Sequence, residues 1–181
     1  MCSIAGVLNG DKKDIVKLIN SMSHRSPDEK GIYHDQNISI GMGRLKIIDL
    51  VSENLCPFIE DNLVLTYNGE IYNYIELKNY LKNKGYNFQT NSDTEVLLAC
   101  YIHWGEKFTE HLNGMWSISI WDKKNKKLIL SRDRFGEKPL YYTFNNNNLF
   151  FASETKVLKC FLDQKIKINN KILKNYLVFG H

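Results

Sequence analysis

No stretch of this 181-residue sequence is apolar for long enough to cross a bilayer, and the opening MCSIAG lacks a basic leader followed by a long apolar run. Membrane partners are therefore not expected, and the cytoplasm is the expected location. The four cysteines, Cys2, Cys56, Cys100 and Cys160, form no CxxC pair, and the five histidines show no HExxH spacing, so no metal site is expected. The cysteines read as reduced, with Cys100 and Cys160 buried among apolar neighbours. Lysines are scattered through KNYLKNKG and WDKKNKKL without an aromatic-basic array, and the net charge is only +4. That distribution is a solvated surface rather than a nucleic-acid footprint. Arginine is scarce: Arg25, Arg44, Arg132 and Arg134 are the whole supply. In a chain that uses lysine for ordinary charge, these positions need the planar, bidentate guanidinium.

What is present is the composition of one globular domain, 43% hydrophobic and 12% aromatic. SIAGVL, NISIGMG, MWSISIWD, KLILSRD, PLYYTF and NLFFAS read as strands, and LVLTYNG as a buried strand running into a turn at Asn68 and Gly69. MWSISIWD and KLILSRD, joined by the polar KKNK, form an expected hairpin. YIELKNYLKNKG and SDTEVLLACYIHWG have helical spacing, the second opening on a capping-box pattern of Ser92 and Glu95, and ETKVLKCFL is a short helix. Strands in both halves with helices between and after them give α+β architecture with layered sheets.

Cys2 stands directly behind the initiator methionine. Removal of Met1 would place a thiol and a free α-amino group on one residue, and the amine, with a pKa of about 7.7–8.0, is unprotonated enough near neutral pH to accept the thiol proton. Taken alone, a second-position cysteine is more often an accident of a buried first strand. Arg44, beside Gly41 and Gly43, suits a bidentate clamp on a carboxylate, or equally a structural ion pair. In YNGEIYN, the Asn68 amide and the Gly69 N–H can converge as oxyanion-hole donors, with the Glu70 carboxylate beside them for an ammonium group. Asp93, at the start of a helix, either complements the helix dipole or supplies a second carboxylate to that ammonium. Together these residues describe a receptor for a free α-amino acid. HRSPDEKG and SRDRFGEKPLYY read as loops held by internal salt bridges, or as segments touching substrate.

MCSIAG, HRSPD, GRLKIID, YNGEIYN, NSDTE, GMWSISIWD, RDRFGEKPLYY and FASETK occur in the order seen in the glutaminase domain of glutamine-hydrolysing asparagine synthetases. The chain resembles these class II glutamine amidotransferases over its whole length, 1–181. The resemblance implies a four-layer αββα sandwich of two antiparallel sheets, the N-terminal-nucleophile hydrolase fold. It implies Cys2 as nucleophile, Asn68 and Gly69 as oxyanion hole, and Arg44 as the clamp on the α-carboxylate of L-glutamine. Glu70 and Asp93 would hold the α-amino group and Ile47 would add a main-chain contact. No cofactor is implied for the glutaminase step; ATP and magnesium belong to the synthetase domain, which this chain lacks and which is the implied partner. A homodimer also fits the resemblance. Ser26, Lys46 and Cys56 depart from the family's usual glycine, small residue and glutamine. The acceptor stays open between aspartate, giving asparagine, and a sugar in surface-polysaccharide synthesis. A glutamine-binding module without catalysis and an autoprocessed amide hydrolase are the alternatives of other classes.

Overall fold

The computed structural model describes residues 2–45, 56–162 and 168–180. Nine strands and five α-helices are found among them: β1 Ser3–Leu8, α1 Lys12–Ser21, β2 Glu29–His34, β3 Ile38–Arg44, β4 Phe58–Glu60, β5 Leu63–Ile71, α2 Tyr74–Lys82, α3 Asp93–Trp104, β6 Gly114–Asp122, β7 Lys127–Arg132, β8 Tyr141–Asn145, β9 Asn148–Ala152, α4 Thr155–Leu158 and α5 Asn170–Phe179. They form a five-stranded sheet in the order β2-β3-β1-β9-β8 and a four-stranded sheet in the order β4-β5-β6-β7. Every pairing is antiparallel.

The period-2 alternation of each strand decides the layers. On β1, Ala5 and Val7 face Ile15, Leu18, Ile19 and Met22 of the α1 segment, each fully buried or nearly so. Burial of each such side chain contributes about 1.5–3 kcal/mol. On β5 and β6, Leu65, Tyr67, Trp116, Ile118 and Ile120 pack under α2 and α3. The opposite faces of both sheets meet through Ile38, Ile40, Val64, Trp121 and Phe151. The result is the expected αββα stack. At Gly41 a Cβ would come within 2.4 Å of Ile19 Cγ1, so the glycine lets α1 lie close on β3.

Local chemistry sets the connections. Asn146 and Asn147 both take left-handed φ (47° and 65°) in the two-residue loop between β8 and β9, which asparagine tolerates. Ser92 caps α3, accepting from Thr94 N at 3.1 Å, but Glu95 does not close the capping box. Its carboxylate accepts from Gln89 N and Thr90 N instead, at 2.7 and 2.8 Å, tying down the loop before the helix. Cys160 is exposed, contrary to the burial expected of it: Phe161 takes the inward position, stacked on Phe150, and leaves the thiol bonded to Val157 O. Cys100 is buried as expected.

Candidate active site

Cys2 immediately precedes β1, level with the end of β3, because Ser3 pairs with Gly43. Its half-buried Sγ accepts from Leu45 N at 3.5 Å and reaches Leu45 O at 3.7 Å. Behind it, Arg25 donates Nε–H to the Cys2 carbonyl at 3.2 Å, and Arg25 Nη1 lies 3.4 Å from Glu154. Arg25 of HRSPD thus ties the Cys2 carbonyl to Glu154 of FASETK. Ser26 sits at φ −142°, which any residue adopts, and its hydroxyl bonds Ser3 Oγ at 2.7 Å.

Cys2, Arg44, Asn68, Gly69, Glu70 and Asp93 line one recess of about 510 Å³, its open mouth included. Six of the seven residues expected at a site are thus brought together; the seventh, Ile47, lies outside the described residues, as do Met1 and Lys46. Asn68 and Gly69 do not form a turn. Strand β5 runs through them to Ile71, with Asn68 opposite Ser117 and Gly69 opposite Trp116. The glycine is required by space instead: a Cβ there would fall 2.1 Å from Met115 O. Asn68 is 1% exposed, and its buried Nδ2 has no hydrogen-bond partner among the described residues. A buried donor without an acceptor costs about 1–3 kcal/mol, and this one lies where a group entering the recess can accept from it.

The Asp93 carboxylate turns back from the start of α3 to β5, accepting from Tyr67 OH at 2.9 Å and Ile71 N at 3.1 Å. Burial pushes its pKa above the usual aspartate value, against the pull of those two bonds. Burial likewise raises the Cys2 thiol, opposed by the Leu45 N–H and by Arg44. A thiol held protonated in this way needs a base before it can attack. Arg44, 5% exposed, lies 3.5 Å from Glu29, so the ion pair and the pocket position expected as alternatives are both present. Cys56 is buried beside Ile4 and Met42, donates to Met42 O at 3.0 Å, and its thiol is pushed up to about 12 by burial. That sulfur is inert, and Cys2 is the thiol presented to the pocket.

Sequence reasoning left Lys138 unassigned, yet it lines the pocket. Of the two readings expected for the loop carrying it, salt bridges or contact with substrate, no salt bridge is found among the described residues; bonds to backbone hold it instead. Asp133 accepts from Trp116, Phe135, Glu137 and Lys138 N–H groups at 2.9–3.3 Å, and Arg132 donates to Gly136 O and Lys138 O. An Asp between two arginines and ahead of FGEKP was the available signal.

Compared with known families, residues 1–181 match the glutamine amidotransferase domain throughout. The chain belongs to that family. Its relatives include asparagine synthetase (glutamine-hydrolyzing) 1 of Bacillus subtilis, 43% identical over 99% of this chain and 30% of that protein. A putative asparagine synthetase (glutamine-hydrolyzing) 2 of Methanocaldococcus jannaschii is 37% identical over 99% of this chain and 39% of its own length. The amidotransferase domain thus spans between about three and four tenths of these relatives. Among solved structures, the glutamine phosphoribosylpyrophosphate amidotransferase of B. subtilis matches with a TM-score of 0.73 and 21% identity, over 87% of this chain and 43% of that one. At that identity the likeness is one of fold, and the fold is the N-terminal-nucleophile hydrolase sandwich.

Proposed function

We propose that this amidotransferase domain hydrolyses L-glutamine through Cys2. The observation that carries the reading is the convergence on one recess of a thiol, a buried amide donor without a partner, a guanidinium and two carboxylates. With Met1 removed, the Cys2 α-amino group accepts the thiol proton and the thiolate attacks the side-chain amide carbon of glutamine. The developing oxyanion receives Asn68 Nδ2–H and Gly69 N–H, which are fixed on β5 before substrate arrives. Collapse expels ammonia, with the proton returned from the α-ammonium group, and leaves a γ-glutamyl thioester. Water, deprotonated by the same amine, cleaves the thioester to glutamate and restores the thiol. Arg44 holds the substrate α-carboxylate, Glu70 and Asp93 its α-ammonium, and Ile47 contributes a main-chain contact. No cofactor enters these steps.

Residues 1–181 are read as one glutaminase domain whose ammonia serves the ATP- and magnesium-dependent amidation of aspartate to asparagine in a synthetase domain outside this chain. The names of the relatives support aspartate over a sugar as acceptor. The site is expected to work in the cytoplasm, with glutamine and the synthetase domain as its partners.

The test is glutamate release from L-glutamine, with intact mass read on the same sample and Cys2→Ala as control. Activity confined to the species lacking Met1 and absent in the control supports the reading. Glutamine binding by a folded, Met-free chain without hydrolysis overturns it in favour of a sensor.

A further inference from the structure

Arg44 alone leaves the carboxylate end of the pocket without net positive charge. Its guanidinium is paired with Glu29, which faces it across the β2–β3 ladder, and the side chains are 5% and 27% exposed. A substrate carboxylate entering there meets a guanidinium whose field is already half spent. Among the described residues, the other cation lining the recess is Lys138. Its backbone is fixed at both ends: its N–H donates to Asp133 Oδ2 at 2.9 Å, and its carbonyl accepts from Arg132 Nε at 3.0 Å. Two residues further on, Leu140 packs against Ile4, Met42 and Cys56, so the loop crosses from the β6–β7 sheet to the strand that carries Arg44. Among the described residues, the Lys138 ammonium enters no ion pair or hydrogen bond. Among the described residues, the charged groups lining the recess are two cations, Arg44 and Lys138, and two carboxylates, Glu70 and Asp93. In charge, that set is the complement of a zwitterion.

We propose that Lys138 is the second cation for the substrate's α-carboxylate, acting with Arg44 to restrict the pocket to free α-amino acids. The assignment rests on the glutaminase reading above. An amino acid whose α-carboxylate is blocked, as in a peptide or an amide, would forfeit both contacts. The residue adds binding that ground and transition states share, because the carboxylate stays remote from the bond being cleaved. Its loss therefore falls on KM rather than kcat.

The experiment measures ammonia release by the unaltered chain, Lys138→Met and Lys138→Arg, with L-glutamine and with its α-carboxamide as substrates. For glutamine, Lys138→Met should raise KM by about three- to tenfold, the range of a charge-assisted bond at a partly exposed site, with kcat held within about twofold. Lys138→Arg should recover most of that loss. For the carboxamide, whose α-carboxylate charge is gone, Lys138→Met should change KM by less than about twofold. An unmoved KM for glutamine, or an equal rise for both substrates, overturns the assignment and leaves the glutaminase reading standing. Absence of ammonia release from the unaltered, Met-free chain overturns both.

Discussion

Asn68→Ala separates catalysis from folding in a way that follows from one atom. Asn68 Nδ2 is buried, bonded to nothing among the described residues, and lies beside Gly69, whose N–H completes the proposed oxyanion hole. If the donor is used only when the amide carbon becomes tetrahedral, its removal costs about 2.7–4 kcal/mol in the transition state, or roughly 10²–10³ in kcat. KM should stay within about threefold, because the ground-state carbonyl gains little from the bond. Stability should move little. Deletion removes an unsatisfied donor that costs the fold about 1–3 kcal/mol, and loses packing of similar size. The net is about 1 kcal/mol either way, or about 2–4 °C in Tm for a domain of this size. Asn68→Asp, which puts an acceptor where a donor is required, should be less active than the alanine variant. Glutamate release and thermal unfolding on the same preparations check all of this. A kcat loss below about tenfold refutes the oxyanion assignment, as does a kcat loss matched by a Tm drop beyond about 8 °C, which makes Asn68 structural.

Asp93→Asn should unfold at the same or a higher temperature at neutral pH while losing glutamine affinity, since burial raises the Asp93 pKa and its ionised form opposes folding. A folded pKa above the unfolded one means the penalty is full above the folded value and fades as pH falls through it, so the two melting curves should converge on acidification. Asp133 has the opposite sign: burial raises its pKa, but the N–H donors from Trp116, Phe135, Glu137 and Lys138 outweigh that and hold it below the ordinary value. Its stabilisation is present above the unfolded pKa and lost as pH falls through the folded one. Asp133→Ala should therefore cost about 3 kcal/mol near neutral pH and raise KM by loosening the loop that carries Lys138. In alkylation at mildly alkaline pH, glutamine should protect Cys2. Cys56 and Cys100, both pushed to about 12 by burial, should label only on unfolding. Mass mapping of the labelled peptides checks each site.

The layers of the fold were legible because alternation and turn chemistry agree: β6 and β7 pair across Lys123–Lys126 as the KKNK joint implies. The helix α1 was not read from KKDIVKLINS, where the buried Ile15, Leu18 and Ile19 are interrupted by lysines that keep the segment's average polarity high. β2 and β4 were missed because one alternates with half-exposed residues and the other is three residues long. The ordered motifs single out six residues that the fold brings to one recess, but the reason for Gly69 was not legible in them. An Asn-Gly pair reads as a turn from sequence, whereas the requirement comes from Met115 O across the ladder, a non-local contact that no window contains. Lys138 was hidden for the same reason. Its loop is shaped by hydrogen bonds to backbone amides, and side-chain charge alone predicted salt bridges.

The measurement closest to the central claim is rapid acid quench during glutamine turnover, followed by intact mass and peptide mapping. The mechanism predicts a γ-glutamyl adduct on the peptide beginning at Cys2, removable by hydroxylamine and absent from molecules that retain Met1. Turnover at full rate in molecules that retain Met1, or an adduct confined to Cys56 or Cys160, would contradict it.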